Sequence, residues 1–208
     1  MGVARVVVFV DYQNTYKRAR ECFLTKDSPA REGHVHPLAL GNQLMKLERR
    51  KAPSALREVR AYRGIPNGRM DREGNSAAQR QADRWTKSGI TVINRPLRYP
   101  VGWPDCDEKP EEKGIDVALA IDVVIMAHRD LYDVAIIMSC DTDLRPAIEA
   151  VMFDTQKHIE TAAWKPDRGE YQTLSIPGKR IWCNLLSLES FNGCADRTDY
   201  TVAATKSA

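Results

Sequence analysis

The chain has 208 residues, of which 43% are hydrophobic and 28% charged; these proportions are near the globular average and exclude wholesale disorder. No apolar run approaches the roughly 18 residues that a transmembrane helix requires, and the run from Val6 to Val10 is too short for a signal peptide. The five cysteines, with no Cys-x-x-Cys pair, exclude a disulfide framework and a zinc knuckle. We therefore expect a cytoplasmic protein.

The charge is unevenly distributed along the chain, although the net charge is only +3. The segment from Lys46 to Arg98 contains 14 Lys and Arg residues against 5 Asp and Glu, whereas the remainder contains 17 against 23. A basic region beside an acidic remainder is typical of a protein that binds a polyanion in one place and cations in another.

Short β-branched runs alternate with helical stretches along the chain. Strands are predicted at 5–10, 56–65, 90–94, 133–139, 158–164 and about 180–183. Helices are predicted at 12–24, 37–51, 115–128 and 144–153, with a further helix from residue 77 that Asn75 or Ser76 caps and Gly89 closes. This alternation predicts an α/β fold with a parallel sheet and right-handed crossovers.

Acidic residues stand where the predicted strands end. Asp11 closes the first strand, and Asp141 and Asp143 follow the strand at 133–139. Because ligands of open α/β sheets bind outside the carboxyl ends of the strands, we expect these carboxylates to converge. Asp116 opens the helix at 115–128 and Asp122 follows it by six residues.

Converging carboxylates repel one another and stay ionised only when cations lie among them. Donor sets made of oxygen alone favour Mg²⁺ or Mn²⁺ over zinc, and such a site suits metal-assisted hydrolysis of a phosphodiester. Helix capping is an equally good interpretation of Asp116 or Asp143 taken singly. Asp122 lies about 120° round the helix from Asp116, so a hydrogen-bonded role fits it as well as a ligand role does.

Three segments resemble, in order and spacing, the motifs of the NYN domains, a branch of the PIN-like nuclease superfamily that includes bacterial LabA-like proteins. They read VFVDYQNTY, EKGIDVALAIDVV and SCDTDLRPAIEAV, and the resemblance runs from about residue 4 to 165. It implies a PIN-like three-layer α/β/α sandwich with a mainly parallel central sheet, in a single domain of residues 1–208 that ends in a C-terminal extension, 166–208. Cys140 stands where glycine is usual, and Leu144 where an aromatic residue is common.

The resemblance also implies a divalent-metal ribonuclease with Mg²⁺ or Mn²⁺ as cofactor, RNA as substrate and, by analogy, a homodimer. The family's acidic metal-binding positions are matched by four residues, which we expect to be catalytic: Asp11, Asp116, Asp141 and Asp143. Asn14 and Ser139 match companion positions that orient the site. We add Lys113 as a partner for a phosphate beside Asp116, and Asp122 as a further candidate metal ligand.

The basic segment predicts an RNA-binding surface. Its candidate phosphate contacts lie on the second strand, in the loop after it and on the next helix: Arg60, Arg63, Arg69, Arg72, Arg80, Arg84 and Lys87. The last three are spaced i, i+4 and i+7, which puts them on one side of a helix. Four aromatic residues nearby could stack unpaired bases, although core packing is the alternative for Trp85: Tyr62, Trp85, Tyr99 and Trp103.

Other functions fit the sequence less well. A catalytically idle RNA-binding module is the main alternative, but a pure binder gains nothing from negative charge concentrated near phosphates. A phosphomonoesterase of the haloacid dehalogenase type is expected to have a second Asp two residues after the first, where this chain has Gln13. A dinucleotide-binding enzyme would need a G-x-G-x-x-G motif after the first strand, which this sequence lacks. The sequence therefore favours a metal-dependent endoribonuclease.

Overall fold

The computed structural model describes residues 2–47 and 53–202. Within them one six-stranded sheet has the order β3-β2-β1-β4-β5-β6, and every neighbouring pair of strands is parallel. The strands are β1 (Ala4–Asp11), β2 (Ser54–Ile65), β3 (Thr91–Pro96), β4 (Val134–Met138), β5 (His158–Trp164) and β6 (Trp182–Leu186). The parallel α/β sheet predicted from the sequence is confirmed.

Helices cover both faces of this sheet. They are α1 (Tyr12–Phe23), α2 (Pro37–Lys46), α3 (Arg72–Lys87), α4 (Ile115–His128), α5 (Arg145–Asp154) and α6 (Leu188–Cys194), with short 3₁₀ helices at Ala30–Gly33 and Thr142–Leu144. The last part of the helix predicted at 37–51 lies outside the described residues, and this part contains three basic residues: Arg49, Arg50 and Lys51. Within the described ranges, no helix combines the length and the apolar character needed to cross a membrane.

The central strand β1 is buried on both sides, which explains its uninterrupted β-branched sequence. Val6, Val8 and Val10 pack into one hydrophobic core with residues of α1, α2, α3 and α6. Val7 and Phe9 point the other way, into a second core with α4 and α5. The molecule is therefore the three-layer α/β/α sandwich that was expected.

The strand order also fixes where a ligand can bind. β1 pairs with β2 on one side and with β4 on the other, so the chain winds outward from β1 in two directions. The crevice of such a doubly wound sheet lies at the carboxyl ends of the two strands where the order reverses. Here that place is between the ends of β1 and β4, directly after Asp11 and Met138.

The largest differences from the sequence prediction concern the start of α3 and the elements near the C-terminal end of the described residues. Helix α3 begins at Arg72 rather than after Asn75 or Ser76, because the Asp71 side chain caps it by accepting a hydrogen bond from Gly74 N at 2.8 Å. The last strand lies at Trp182–Leu186 instead of about 180–183, and α6 follows it without having been predicted. A helix of seven residues is too short to give a recognisable hydrophobic period.

A cationic and aromatic cluster fills the space between α1 and α3. The Arg63 guanidinium lies 5.4 Å from the ring centroids of both Tyr12 and Trp85. The Tyr12 hydroxyl makes a 2.8 Å hydrogen bond with His34 Nδ1. Burial, reinforced by the charge of Arg63, lowers the pKa of His34 to about 4. The imidazole is therefore neutral in the folded protein at neutral pH.

We expect His34 to make the folded state sensitive to acid. Its pKa is about 4 when folded against 6.5 for an ordinary histidine, so the unfolded chain binds more protons between these values, and the stability present above pH 6.5 is lost as the pH falls to about 4. The full loss is about 3 kcal/mol, because one pKa unit corresponds to about 1.4 kcal/mol. His34→Gln keeps a polar group near Tyr12 but does not titrate. Urea unfolding at several pH values should show a flatter pH profile for this variant.

His128→Gln is the matched control, because His128 is exposed at the end of α4. It removes a histidine without touching the cluster, and its profile should follow that of the wild type. Parallel profiles for wild type and His34→Gln would contradict the role assigned to His34.

Candidate active site

The site is organised around Asp11, a carboxylate that is only 4% exposed at the end of β1. Its Oδ1 accepts a 3.1 Å hydrogen bond from the backbone N of Asn14 and so caps α1. Its Oδ2 accepts a 2.8 Å hydrogen bond from Ser139 Oγ. Burial raises the pKa of Asp11 to about 7, the two hydrogen bonds oppose this shift, and the negative charges of Asp116 and Glu112 add to it.

The end of β4 is tied to the same point by a chain of hydrogen bonds. Ser139 Oγ accepts from Asp141 N at 3.1 Å, and Asn14 Oδ1 accepts from Cys140 N at 3.1 Å. Among the described non-glycine residues only Asp130 has a positive φ, so the position of Cys140 does not require the glycine that is usual there. The turn after β4 is therefore held by backbone contacts that a cysteine can supply.

A polar cleft of about 290 Å³ opens between these strand ends. It brings together four of the residues singled out from the sequence: Asp11, Asn14, Asp116 and Asp141. It also contains residues that sequence reasoning missed, among them Glu112, whose Oε1 accepts a hydrogen bond from Gly64 N at 2.5 Å. Burial raises the pKa of Glu112, and the nearby charge of Asp116 contributes.

The carboxylates of the cleft repel one another. Burial raises the pKa of Asp116, and the charges of Asp141 and then Asp143 raise it further. Repulsion of this kind is relieved when a cation binds among the groups. The donor atoms are all oxygens, which matches the preference of Mg²⁺ and Mn²⁺.

The spacing of these groups limits how a metal ion could be held. In the ranges 2–47 and 53–202, no three His, Cys, Asp or Glu side chains are arranged to hold one ion. Mg²⁺ commonly keeps several waters and takes only one or two carboxylates directly. The cleft therefore suits a divalent ion that keeps most of its waters, and its carboxylates would face such an ion partly through those waters: Asp11, Glu112, Asp116 and Asp141.

Cationic side chains of α1 flank the acidic cleft. Lys17 and Arg18 line it together with Gln13; Lys17 Nζ donates to Gln13 Oε1 at 2.9 Å, and Arg18 forms a 2.6 Å ion pair with Glu21. The signal that could have found them is helical spacing, since they follow Asn14 by three and four residues and so share its face.

Three predicted site residues lie away from the cleft lining. Asp143 is exposed, donates its backbone N–H to Asp141 Oδ1 at 2.9 Å, and reaches the cleft only through its charge. Lys113 is exposed as well. Asp122 accepts hydrogen bonds from Arg60 Nη2 at 2.8 Å and Tyr62 Oη at 2.7 Å, so it belongs to an ion-paired group outside the cleft and not to the metal site that the sequence suggested.

The predicted RNA surface divides into structural and exposed cations. Arg60 is engaged by Glu58 and Asp122, Arg63 lies in the aromatic cluster, and Arg80 donates to the backbone oxygens of residues 200 and 201. Four of the candidate cations are exposed: Arg69, Arg72, Arg84 and Lys87. Tyr62 and Trp85 are fully buried, so the idea that they stack bases is wrong, and core packing, the alternative for Trp85, is confirmed.

Comparison with known protein families identifies the class of this domain. The model of the NYN domain matches residues 5–171, which is most of the chain. The chain belongs to the NYN domain family. NYN domains are part of the PIN-like nuclease superfamily, whose members typically depend on divalent metals, and this supports a nuclease or RNA-related role.

Other comparisons are more distant. No curated protein is similar to this NYN domain at a significant level. Among solved structures, a protein of unknown function from Vibrio parahaemolyticus is 19% identical, with a TM-score of 0.48 over 77% of this chain and 81% of its own.

The hydrogen bond between Ser139 and Asp11 yields a direct prediction for this NYN domain. Ser139→Ala removes a donor that favours the ionised carboxylate, so we expect the pKa of Asp11 to rise above about 7, by on the order of one unit. Carboxyl ¹³C NMR titration in EDTA would measure it. Thr161→Val is the control, because this buried hydroxyl on β5 donates to Leu174 O. An unchanged titration in Ser139→Ala would contradict the coupling.

Proposed function

We propose that this NYN domain is an endoribonuclease that hydrolyses RNA phosphodiester bonds with Mg²⁺ or Mn²⁺. The observation that carries the proposal is the convergence of four carboxylates on one cleft at the switch point of the sheet: Asp11, Glu112, Asp116 and Asp141. A divalent ion held there would supply positive charge to the phosphate oxygens and lower the pKa of an attacking water.

The residues around the cleft have different roles in this proposal. Asp11, Asp116 and Asp141 would hold the ion, in part through its waters, and Glu112 would complete the acidic wall of the cleft. Ser139 and Asn14 fix the ends of β4 and β1 in one geometry through their hydrogen bonds. Asp143 orients the Asp141 carboxylate through its backbone N–H.

Cations on the exposed surface supply attraction for the RNA backbone. Lys17 and Arg18 on α1 would contact the phosphates that flank the scissile bond. Arg84 and Lys87 on α3 offer a second, more distant contact area. The homodimer implied by the family resemblance stays a prediction.

Asp141→Asn should lower Mn²⁺-dependent cleavage of total RNA by about 100-fold or more, because it removes a negative charge from the ion's site while preserving the size of the side chain. The wild type in EDTA should be equally inactive. Asp154→Asn at the exposed end of α5 makes the same chemical change outside the cleft and should retain full activity. Gel analysis of the products, with circular dichroism to verify folding, would check these results.

Two outcomes would count against a nuclease. Undiminished cleavage by Asp141→Asn, with contaminating nuclease excluded, would show that Asp141 takes no part in cleavage and would contradict the proposed acidic site. RNA binding without cleavage across Mg²⁺ and Mn²⁺ would favour the alternative of a non-catalytic RNA-binding module.

The two cationic surfaces can be separated by salt dependence. Replacing Lys17 and Arg18 together by Gln should weaken RNA binding and reduce the slope of log K against log salt by about 0.7 for each phosphate of a single strand that is no longer neutralised. The matched pair Arg84→Gln and Lys87→Gln should have the smaller effect, because α3 does not line the cleft. Fluorescence anisotropy between 50 and 200 mM salt, roughly the range in which phosphate contacts weaken strongly, would compare them. A larger effect of the α3 pair would show that RNA binds mainly to the basic segment, as the sequence predicts, and not to the cations of α1.

A further inference from the structure

A second pocket, of about 270 Å³, lies on the α3 side of the carboxyl edge of the sheet. Its walls come from the 3₁₀ helix Ala30–Gly33, from α3 and from residues 198–201. Much of the lining is small and apolar: Ala30, Pro66, Ala77 and Ala78. This size is below that of a site for a drug-sized ligand, which is about 300 Å³ or more, and suits a single flat group.

Two residues of this pocket carry donors that lack acceptors. Gln81 is 3% exposed, and its Oε1 accepts a hydrogen bond from Arg63 Nη1. Gln81 Nε2 and Arg63 Nε have no hydrogen-bond partner among the described residues. Because buried polar atoms are almost always paired, two orphaned donors beside one pocket indicate a site for an acceptor.

The pocket and the carboxylate cleft are connected through β2. Arg63 lines the pocket, and the next residue, Gly64, donates its N–H to Glu112 in the cleft. We therefore expect one RNA strand to reach both places, with a base in the pocket and a phosphodiester in the cleft.

The pocket chemistry favours a base over a phosphate. The lining contains one carboxylate, Asp199, and two cations, Arg31 and Arg63, so the preference comes from the apolar part of the lining, which a bare phosphate would leave without a partner. A nucleobase combines an apolar face, which the alanines can contact, with carbonyl or ring-nitrogen acceptors on its edge. His34, which also lines the pocket, is neutral and adds no charge.

We propose that this pocket binds an unstacked nucleobase whose edge accepts hydrogen bonds from Gln81 and Arg63. The base belongs either to the RNA held in the cleft or to a free mononucleotide. The assignment to an RNA base rests on the proposed nuclease function. In that case the pocket would select the nucleotide that flanks the cleaved bond.

The test uses a variant that removes the orphaned donor and adds one negative charge, and a control that adds the charge alone. Gln81→Glu keeps an oxygen to accept from Arg63 Nη1 but replaces Nε2 with a second acceptor. Gln79→Glu introduces the same charge at an exposed position of α3 and is the matched control. Ala77→Leu, which fills the pocket without changing a polar group, is a second variant in case Gln81→Glu fails to fold.

Binding is measured in EDTA by calorimetry and ligand-detected NMR on the full chain. The probes are the four ribonucleoside 5′-monophosphates, ribose 5-phosphate, and a single-stranded hexaribonucleotide with and without one abasic position. We expect base-dependent binding that Gln81→Glu or Ala77→Leu weakens at least tenfold and Gln79→Glu changes less than twofold. Binding of the monophosphates alone identifies a free nucleotide, and binding of the intact hexamer alone identifies an RNA base.

Equal binding of ribose 5-phosphate and the nucleotides, or equal weakening by Gln81→Glu and Gln79→Glu, would overturn the pocket assignment. So would the lack of any base-dependent binding. Cleavage is assayed separately with Mn²⁺. If the protein cleaves RNA but shows no base-dependent binding, only the pocket assignment is wrong. If it binds the base but does not cleave RNA, only the proposed nuclease function is wrong.

Discussion

One buried carboxylate determines the geometry of the carboxyl edge of the sheet. Asp11 ends the central strand, caps α1 through Asn14 N and accepts from Ser139 of the neighbouring strand. A carboxylate removed from water is costly unless its oxygens are hydrogen-bonded, so these contacts hold β1, α1 and β4 in one mutual arrangement. The cleft opens beside this junction, where polar side chains of α1 face Glu112, Asp116 and Asp141.

The same arrangement opposes the stability of the isolated protein. Burial raises the pKa of Asp11, Glu112 and Asp116, so each of these groups is harder to ionise than it would be in water. Perturbed carboxyl groups that share a cleft are characteristic of sites built for a ligand rather than for the fold. A bound cation would restore the ionised forms, which couples the folding energy of the edge to occupancy of the cleft.

Sequence patterns predicted the parts of the molecule that depend on local order. Asp11, Asp116 and Asp141 could be assigned because strand ends and helix starts can be recognised in one sequence, and their convergence follows from parallel topology. Glu112 was missed because it lies in a loop, where no periodicity marks direction. The open surface expected around Arg60 and Arg63 is not found, because Arg60 pairs with Asp122 and the Arg63 guanidinium lies over Trp85. Both partners lie more than 20 residues away in the chain, so no local sequence pattern indicates these contacts.

The position of β1 at the middle of the sheet has a consequence for local opening. Its amides pair with strands on both sides, so they should exchange with solvent only when the whole domain unfolds. Glu112 belongs instead to the connection between β3 and α4, which lies outside the sheet, so we expect its amides to exchange through local opening. The carboxylates of the cleft therefore lie partly on the central strand, at Asp11, and partly on a connecting segment, at Glu112. Hydrogen exchange should therefore be slow for the backbone amides of β1 and faster for those around Glu112, within one site.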